Sequence, residues 1–283
     1  MRKLNHSQID AVTFMNTVIN SKHPKNDPKY KDRCLTIVRD EHAVIAQYDP
    51  AFDDNAIERL SPHTWTNEKS DDFKSLYSYS LAAFKRLRES VINDEHNRRN
   101  DFCPLCELDK INTLDHFLPK EHFPAYTIHP KNLVPCCSTC NSHKSQSWHD
   151  DGNRKVWNVY LDSLPASAYL KCDITITDDL PKASFRLENA DINPDTYALI
   201  TRTFTKLHLI QRYNDASYHE MQKFITTIVK DIKLTDRYTF DENIERIKQI
   251  VNDGTSPNNW EYILKKSMLD SPQLINYLRA QLP

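Results

Sequence analysis

Apolar residues recur at three- and four-residue steps over much of this chain, the spacing of helices with one buried face. Between Ser70 and about Asn93 the stripe is Phe73, Leu76, Tyr77, Leu81, Phe84 and Leu87, and Asp71 and Asp72 suit a first turn. From Asn193 onward the pattern is helical throughout. Tyr197, Ile200, Phe204, Leu207, His208 and Gln211 mark one helix, and Met221, Phe224, Ile225, Ile228 and Ile232 mark the next. Three shorter helices are expected near 241–252, 257–268 and 272–281, with Asp241, Ser256 and Ser271 as N-caps. Alternation replaces the helical step at Cys172–Thr177 and Ala183–Leu187, so a β-hairpin turning at Asp178-Asp-Leu-Pro is expected there. Val156–Leu161 reads as a further strand. The segments at 34–38 and 43–46 fit either a strand pair or a helix.

Composition narrows the function. The 283 residues include two glycines, Gly152 and Gly254, where average usage would give about twenty. A P-loop, a Rossmann phosphate loop and a G-x-S-x-G elbow each need two glycines close together, so all three are excluded. Net charge is −2, from 37 basic and 39 acidic residues, and no broad basic face is implied. A nucleic-acid site, if present, must then be local or shared with a partner. Met1-Arg-Lys-Leu-Asn-His lacks the apolar core of a signal peptide, and no apolar run is long enough for a membrane span. A cytoplasmic protein with reduced thiols is expected.

Five of the seven cysteines fall between Asn97 and Asp151. Four of these form Cys103-Pro-Leu-Cys106 and Cys137-Ser-Thr-Cys140, two matched C-x-x-C pairs. Each pair lets one tight turn present two sulfurs, and four thiolates suit a tetrahedral structural Zn²⁺. Cys136 could replace Cys137 only by lengthening the second spacer, so Cys137 is preferred. Cys34 and Cys172 are expected in the core.

The segment between the pairs holds Asp115-His116 flanked by Leu114 and Phe117, then Asn132-Leu133, then Cys137-x-x-Cys140-Asn141-x-x-Lys144. In that order these elements resemble the HNH nuclease family, over about Phe102 to Gln146. The resemblance implies a zinc-braced ββα-metal core embedded in a mainly helical α+β protein. The implied organisation is an N-terminal helical region (1–97), a nuclease core (98–155), and a hairpin followed by a helical region (156–283).

The resemblance also implies roles. His116 is the general base, Asn132 fixes the loop that orients it, and Asp115 and Asn141 hold a catalytic Mg²⁺ or Mn²⁺. Asn141 stands where the family pattern often has His. His143, two residues on, points about 200° away on a helix, so only one of the two can face the metal, and the family spacing implies Asn141. Lys144 is the candidate phosphate contact, against the plainer expectation of an exposed helix lysine. His122, His129 and His149 are expected at the surface.

A strand through Asp115 and His116 sends them to opposite faces, so a bend, or a main-chain role for one of them, is required if both serve one site. The start Met1-Arg-Lys-Leu, the Asp115-His-Phe-Leu-Pro-Lys run and the helical tail resemble, more narrowly, HNH proteins that accompany an ATPase in Septu-like or retron-associated phage defence. This resemblance implies a DNA or RNA substrate and a protein partner docked on the helical flanks. The competing expectation is a non-catalytic zinc module with a degenerate HNH core.

Overall fold

The computed structural model of the chain describes residues 1–23, 26–93, 99–150, 152–189, 191–234, 237–252 and 256–281. The expected boundary at 97–98 and Gly254 lie outside the described residues. The fold is α+β and mainly helical, with short antiparallel sheets. Two compact units divide it, one of residues 2–164 and one from Pro165 onward. Among the described residues, no helix is long and apolar enough to cross a membrane.

The first unit carries α1 (Ala11–Ser21), α2 (Tyr30–Asp40), α3 (His42–Ile45), α4 (Tyr48–Asp53), α5 (Asn67–Lys74) and α6 (Ala82–Ile92). Then follow strand β1 (Thr113–His116), strand β2 (Leu133–Cys136) and helix α7 (Ser138–Lys144), with a short ribbon of β3 (His149–Asp150) and β4 (Asn153–Arg154). The open choice at 34–46 resolves as helix. Cys34, Ile37 and Val38 face inward from α2.

The helix expected over 70–93 is two helices. Thr66 caps α5 through Lys69 N, so the helix starts before Asp71, and it ends at Ser75. The Ser75 hydroxyl donates to the Asp72 carbonyl, and the residues to Leu81 are short on strong helix formers. The break frees Tyr77 to leave the helical stripe and reach β1.

Val156–Leu161 is a buried turn and not a strand. The Asn158 carboxamide oxygen accepts from Tyr160 N at 3.0 Å and Leu161 N at 3.3 Å, which closes the chain into a turn.

The second unit opens with the expected hairpin, β5 (Leu170–Thr177) and β6 (Leu180–Leu187), in register from Leu170↔Leu187 to Thr177↔Leu180. Its two-residue turn, Asp178-Asp179, has φ of 52° and 57°. Both positions are left-handed, as a primed hairpin turn requires.

Among the described residues the helices that follow are α8 (Pro194–Lys206), α9 (Leu209–Leu234), α10 (Phe240–Asn252), α11 (Trp260–Asp270) and α12 (Pro272–Ala280). The stripe through Gln211 is cut at His208, whose φ is 52°. Phe185 of β6 packs edge-on against Tyr213 of α9 at 5.6 Å, and Tyr213 stacks on Trp260 of α11 at 5.8 Å.

Ser271 caps α12 as expected. The other two caps differ. Thr239 and Glu242 form a reciprocal capping box, so Thr239 takes the place expected of Asp241. Asn259, accepting from Tyr262 N, takes the place of Ser256.

Asn258 is buried, and its carboxamide is turned onto the start of β5. It accepts from Tyr169 N at 2.7 Å and Leu170 N at 3.1 Å, and donates to Ser167 O at 3.0 Å. Asn258→Ala strands these buried groups. It should cost about 3 kcal/mol in urea unfolding with an unchanged m-value; a loss under about 0.5 kcal/mol would show that the staple carries no weight.

Candidate metal and catalytic centre

Two sulfur-bearing turns meet at the base of the β1–β2 pair. Cys103, Cys106, Cys137 and Cys140 are buried, with all four sulfurs within 4.8 Å of one another and Cys106 Sγ 3.8 Å from Cys137 Sγ. A tetrahedral ion with Zn–S bonds of about 2.3 Å spaces its sulfurs about 3.8 Å apart, so the set is sized for Zn²⁺. The first turn is closed by Glu107 N donating to Cys103 O at 2.8 Å, with Glu107 left-handed. Cys137 is the N-cap of α7, accepting from Cys140 N. Cys136 is buried in β2 outside the cluster, and Cys137 is the neighbour whose sulfur lies within it.

β1 and β2 pair antiparallel, with Asp115 opposite Val134 and His116 opposite Leu133. α7 follows directly, so the local order is strand, strand, helix. A cleft of about 300 Å³ opens beside this unit, and Asp115, His116 and Asn141 all line it, with Tyr77, Lys120, Glu121 and Gln146. The conflict over strand faces is met at the strand end. His116 is the last residue of β1, and the chain bends at Phe117–Leu118.

That bend is held by Asn132, which is fully buried. Its main-chain oxygen accepts from Phe117 N at 2.9 Å. Its side-chain oxygen accepts from Leu118 N at 2.7 Å and from the Tyr48 hydroxyl, and its amide donates to Leu118 O at 3.1 Å and Tyr126 O at 3.0 Å. Next to Tyr126, the Thr127 carbonyl accepts from His116 Nε2 at 2.9 Å. A carbonyl can only accept, so the proton sits on Nε2 and Nδ1 keeps its lone pair. The Tyr77 ring meets the imidazole edge-on at 4.7 Å, and its hydroxyl donates to Leu114 O. Burial, together with the Lys120 and Lys144 charges, pushes the His116 pKa down to about 3, so the ring is neutral at pH 7.

Asp115 is buried, which pushes its pKa up, while the Lys144 ammonium 2.9 Å away opposes the rise. Lys144 is itself 1% exposed and also donates to His116 O at 2.8 Å. It is therefore neither an exposed helix lysine nor open to solvent. Asn141 is half-buried, with its amide 3.4 Å from Thr113 Oγ1. His143 lies outside the cleft lining.

His122 and His149 are exposed as expected, but His129 is buried. It stacks on Tyr48 at 4.2 Å, and burial pushes its pKa down to about 4. His129 follows Ile128 and precedes Pro130, so the apolar loop that carries it is wholly inside. Cleft residues that the motif does not mark are Tyr77, Lys120, Glu121 and Gln146. Lys120 could have been read from Pro119-Lys120 beside the Asp-His pair. Tyr77 gives no sequence signal, because only the helix break brings it there.

No family model matches the chain, and no solved structure matches it. Two curated proteins are similar. Protein ea31 of Escherichia phage lambda is 22% identical over 211 residues, 70% of this chain and 71% of ea31. Septu protein PtuB of Bacillus thuringiensis is 27% identical over 158 residues, 54% of this chain and 53% of PtuB. The chain thus matches about half the length of PtuB.

Proposed function

We propose that this protein is a metal-dependent HNH endonuclease that hydrolyses phosphodiester bonds of DNA or RNA. The observation that carries the reading is the convergence of Asp115, His116 and Asn141 on one cleft, beside a four-cysteine clamp sized for Zn²⁺. Residues 98–155 form the nuclease core, and 1–97 and 156–283 flank it. His116 Nδ1 takes a proton from the attacking water, because its other nitrogen is committed to Thr127. Asn132 is a positioning residue; it holds both the bend after His116 and the turn that carries Thr127.

Asp115 and Asn141 offer a carboxylate and a carboxamide oxygen, hard donors suited to Mg²⁺ or Mn²⁺. Bound there, the ion supplies positive charge against the phosphate and the leaving oxygen. The similarity to Septu PtuB supports a place in antiphage defence beside a protein partner. By the family resemblance that partner is an ATPase docked on the helical flanks, and the protein acts in the cytoplasm. The near-neutral chain fits a protein that relies on a partner for part of its grip on nucleic acid.

Elemental analysis of freshly purified protein should find one zinc per chain. Stripping it should unfold the core, because α7 and its N-cap carry two of the four ligands. Zinc-free protein as isolated would overturn the clamp.

Incubation with plasmid DNA and with total RNA in Mg²⁺ or Mn²⁺ tests the activity. His116→Ala should lower cleavage by about 10²-fold or more while zinc content and folding stay as in the wild type. Cleavage by His116→Ala at the wild-type rate would remove the base from the mechanism.

The ligand on α7 is tested by Mn²⁺ titration. Asn141→Ala should weaken binding about tenfold or more and His143→Ala less than about twofold. The reverse order would move the ligand to His143.

A further inference from the structure

Two lysines stand at the cleft, and their surroundings are opposite. Lys144 is sealed. Its ammonium bridges Asp115 Oδ2 at 2.9 Å and His116 O at 2.8 Å, with the Phe117 ring 5.7 Å away. Lys120 lines the cleft and is half-buried, its ammonium 6.0 Å from the Tyr77 ring centroid. Among the described residues, no carboxylate lies within ion-pair distance of Lys120. Its neighbour Glu121 is taken by Lys74 at 3.0 Å, and Lys74 also holds Asp71 at 3.1 Å.

We infer that the two lysines divide the work of the site: Lys144 is a positioning residue that fixes Asp115 against Asn141, and Lys120 is the cation that meets a phosphate of the nucleic acid. This rests on the nuclease reading above. The geometry of α7 gives the first half. Asn141 and Lys144 are three residues apart and share a helix face. The grip of Lys144 on Asp115 therefore sets the spacing between the carboxylate and the carboxamide that would share an ion. Two of its three donors are committed inside the protein, and a polymer phosphate could recruit it only by breaking a buried ion pair.

The second half follows from exposure and charge. A phosphate entering the cleft meets a positive group beside His116 that no protein carboxylate neutralises.

The full-length, zinc-bound protein tests both halves at once. Mn²⁺ binding is read by electron paramagnetic resonance. Binding of a short labelled DNA duplex and a short labelled RNA is read by fluorescence anisotropy across a salt series. Steady-state cleavage separates kcat from KM. Lys144→Met should weaken Mn²⁺ binding about tenfold or more and lower kcat, with nucleic-acid affinity within about twofold of wild type. Lys120→Met should leave Mn²⁺ binding alone, raise KM, and reduce the slope of log affinity against log salt by about one contact.

Wild-type Mn²⁺ affinity in folded Lys144→Met overturns the positioning role. An unchanged salt slope and KM in Lys120→Met overturns the phosphate role. Lys120→Met decides the division even if Lys144→Met does not fold, because its half-exposed side chain supports no buried pair. Wild-type protein that neither binds Mn²⁺ nor cuts would overturn the nuclease reading instead.

Discussion

The geometry of the first unit turns on one buried carboxamide. Asn132 can accept two hydrogen bonds and donate two, and all four are made. They stitch together three stretches that are separate in sequence: the bend after β1, the turn at Tyr126, and α4 through Tyr48. Fifteen intervening residues between β1's end and Asn132 would otherwise cost loop entropy and leave buried main-chain groups without partners. Rings from several elements close around the same point. Tyr48 meets Tyr126 at 5.0 Å, and Phe123 meets Trp148 at 5.7 Å. His116 inherits its orientation from this arrangement, since the carbonyl that fixes its tautomer sits on the stitched turn.

The shortage of glycine explains why asparagine carries so much of the design. A chain with two glycines must still turn. It places other residues at left-handed positions, among them Asn55, Asp178, Asp179 and Asp191, whose short polar side chains tolerate that region best. Where a turn is buried, a carboxamide satisfies the main chain directly: Asn132 and Asn158 in the first unit, Asn258 in the second. A single such residue organises more main chain than a glycine could, but it must be enclosed to do so. That requirement ties local turns to the packing around them.

Much of this was legible in the sequence, for identifiable reasons. The clustering of the two C-x-x-C pairs is read from spacing alone, because a two-residue spacer lets one tight turn present both sulfurs and depends little on the rest of the fold. The hairpin and the C-terminal helices follow from periodicity, which packing in the second unit respects. What was not legible depended on side chains competing with the pattern. The stripe over 70–93 reads as one helix, yet Leu76 and Tyr77 lie in the gap between α5 and α6. The Val156–Leu161 run of apolar and aromatic residues reads as a strand, but Asn158 closes it into a turn. Lys144 and His129 are polar residues that burial rules place outside. Lys144 is held inside by Asp115 and the His116 carbonyl, and His129 is packed against the Tyr48 ring in its neutral form.

The motif on α7 has a physical reading that needs no family comparison. Cys137, Cys140, Asn141 and Lys144 sit at i, i+3, i+4 and i+7, which is a single helical stripe. At about 100° per residue these four positions fall within roughly a 100° arc, and His143 falls well outside it. The sulfurs occupy the N-terminal half of the stripe and face the clamp, so they set the rotation of the helix about its axis. Once that rotation is set, Asn141 is carried to the cleft, and Lys144, one turn further on, to the end of β1. The four-cysteine clamp therefore does more than hold two loops together: it fixes the rotation of a seven-residue helix too short to hold its own orientation. Its second consequence is that the charge balance at Asp115 is set by the same helix, through the lysine at the far end of the stripe.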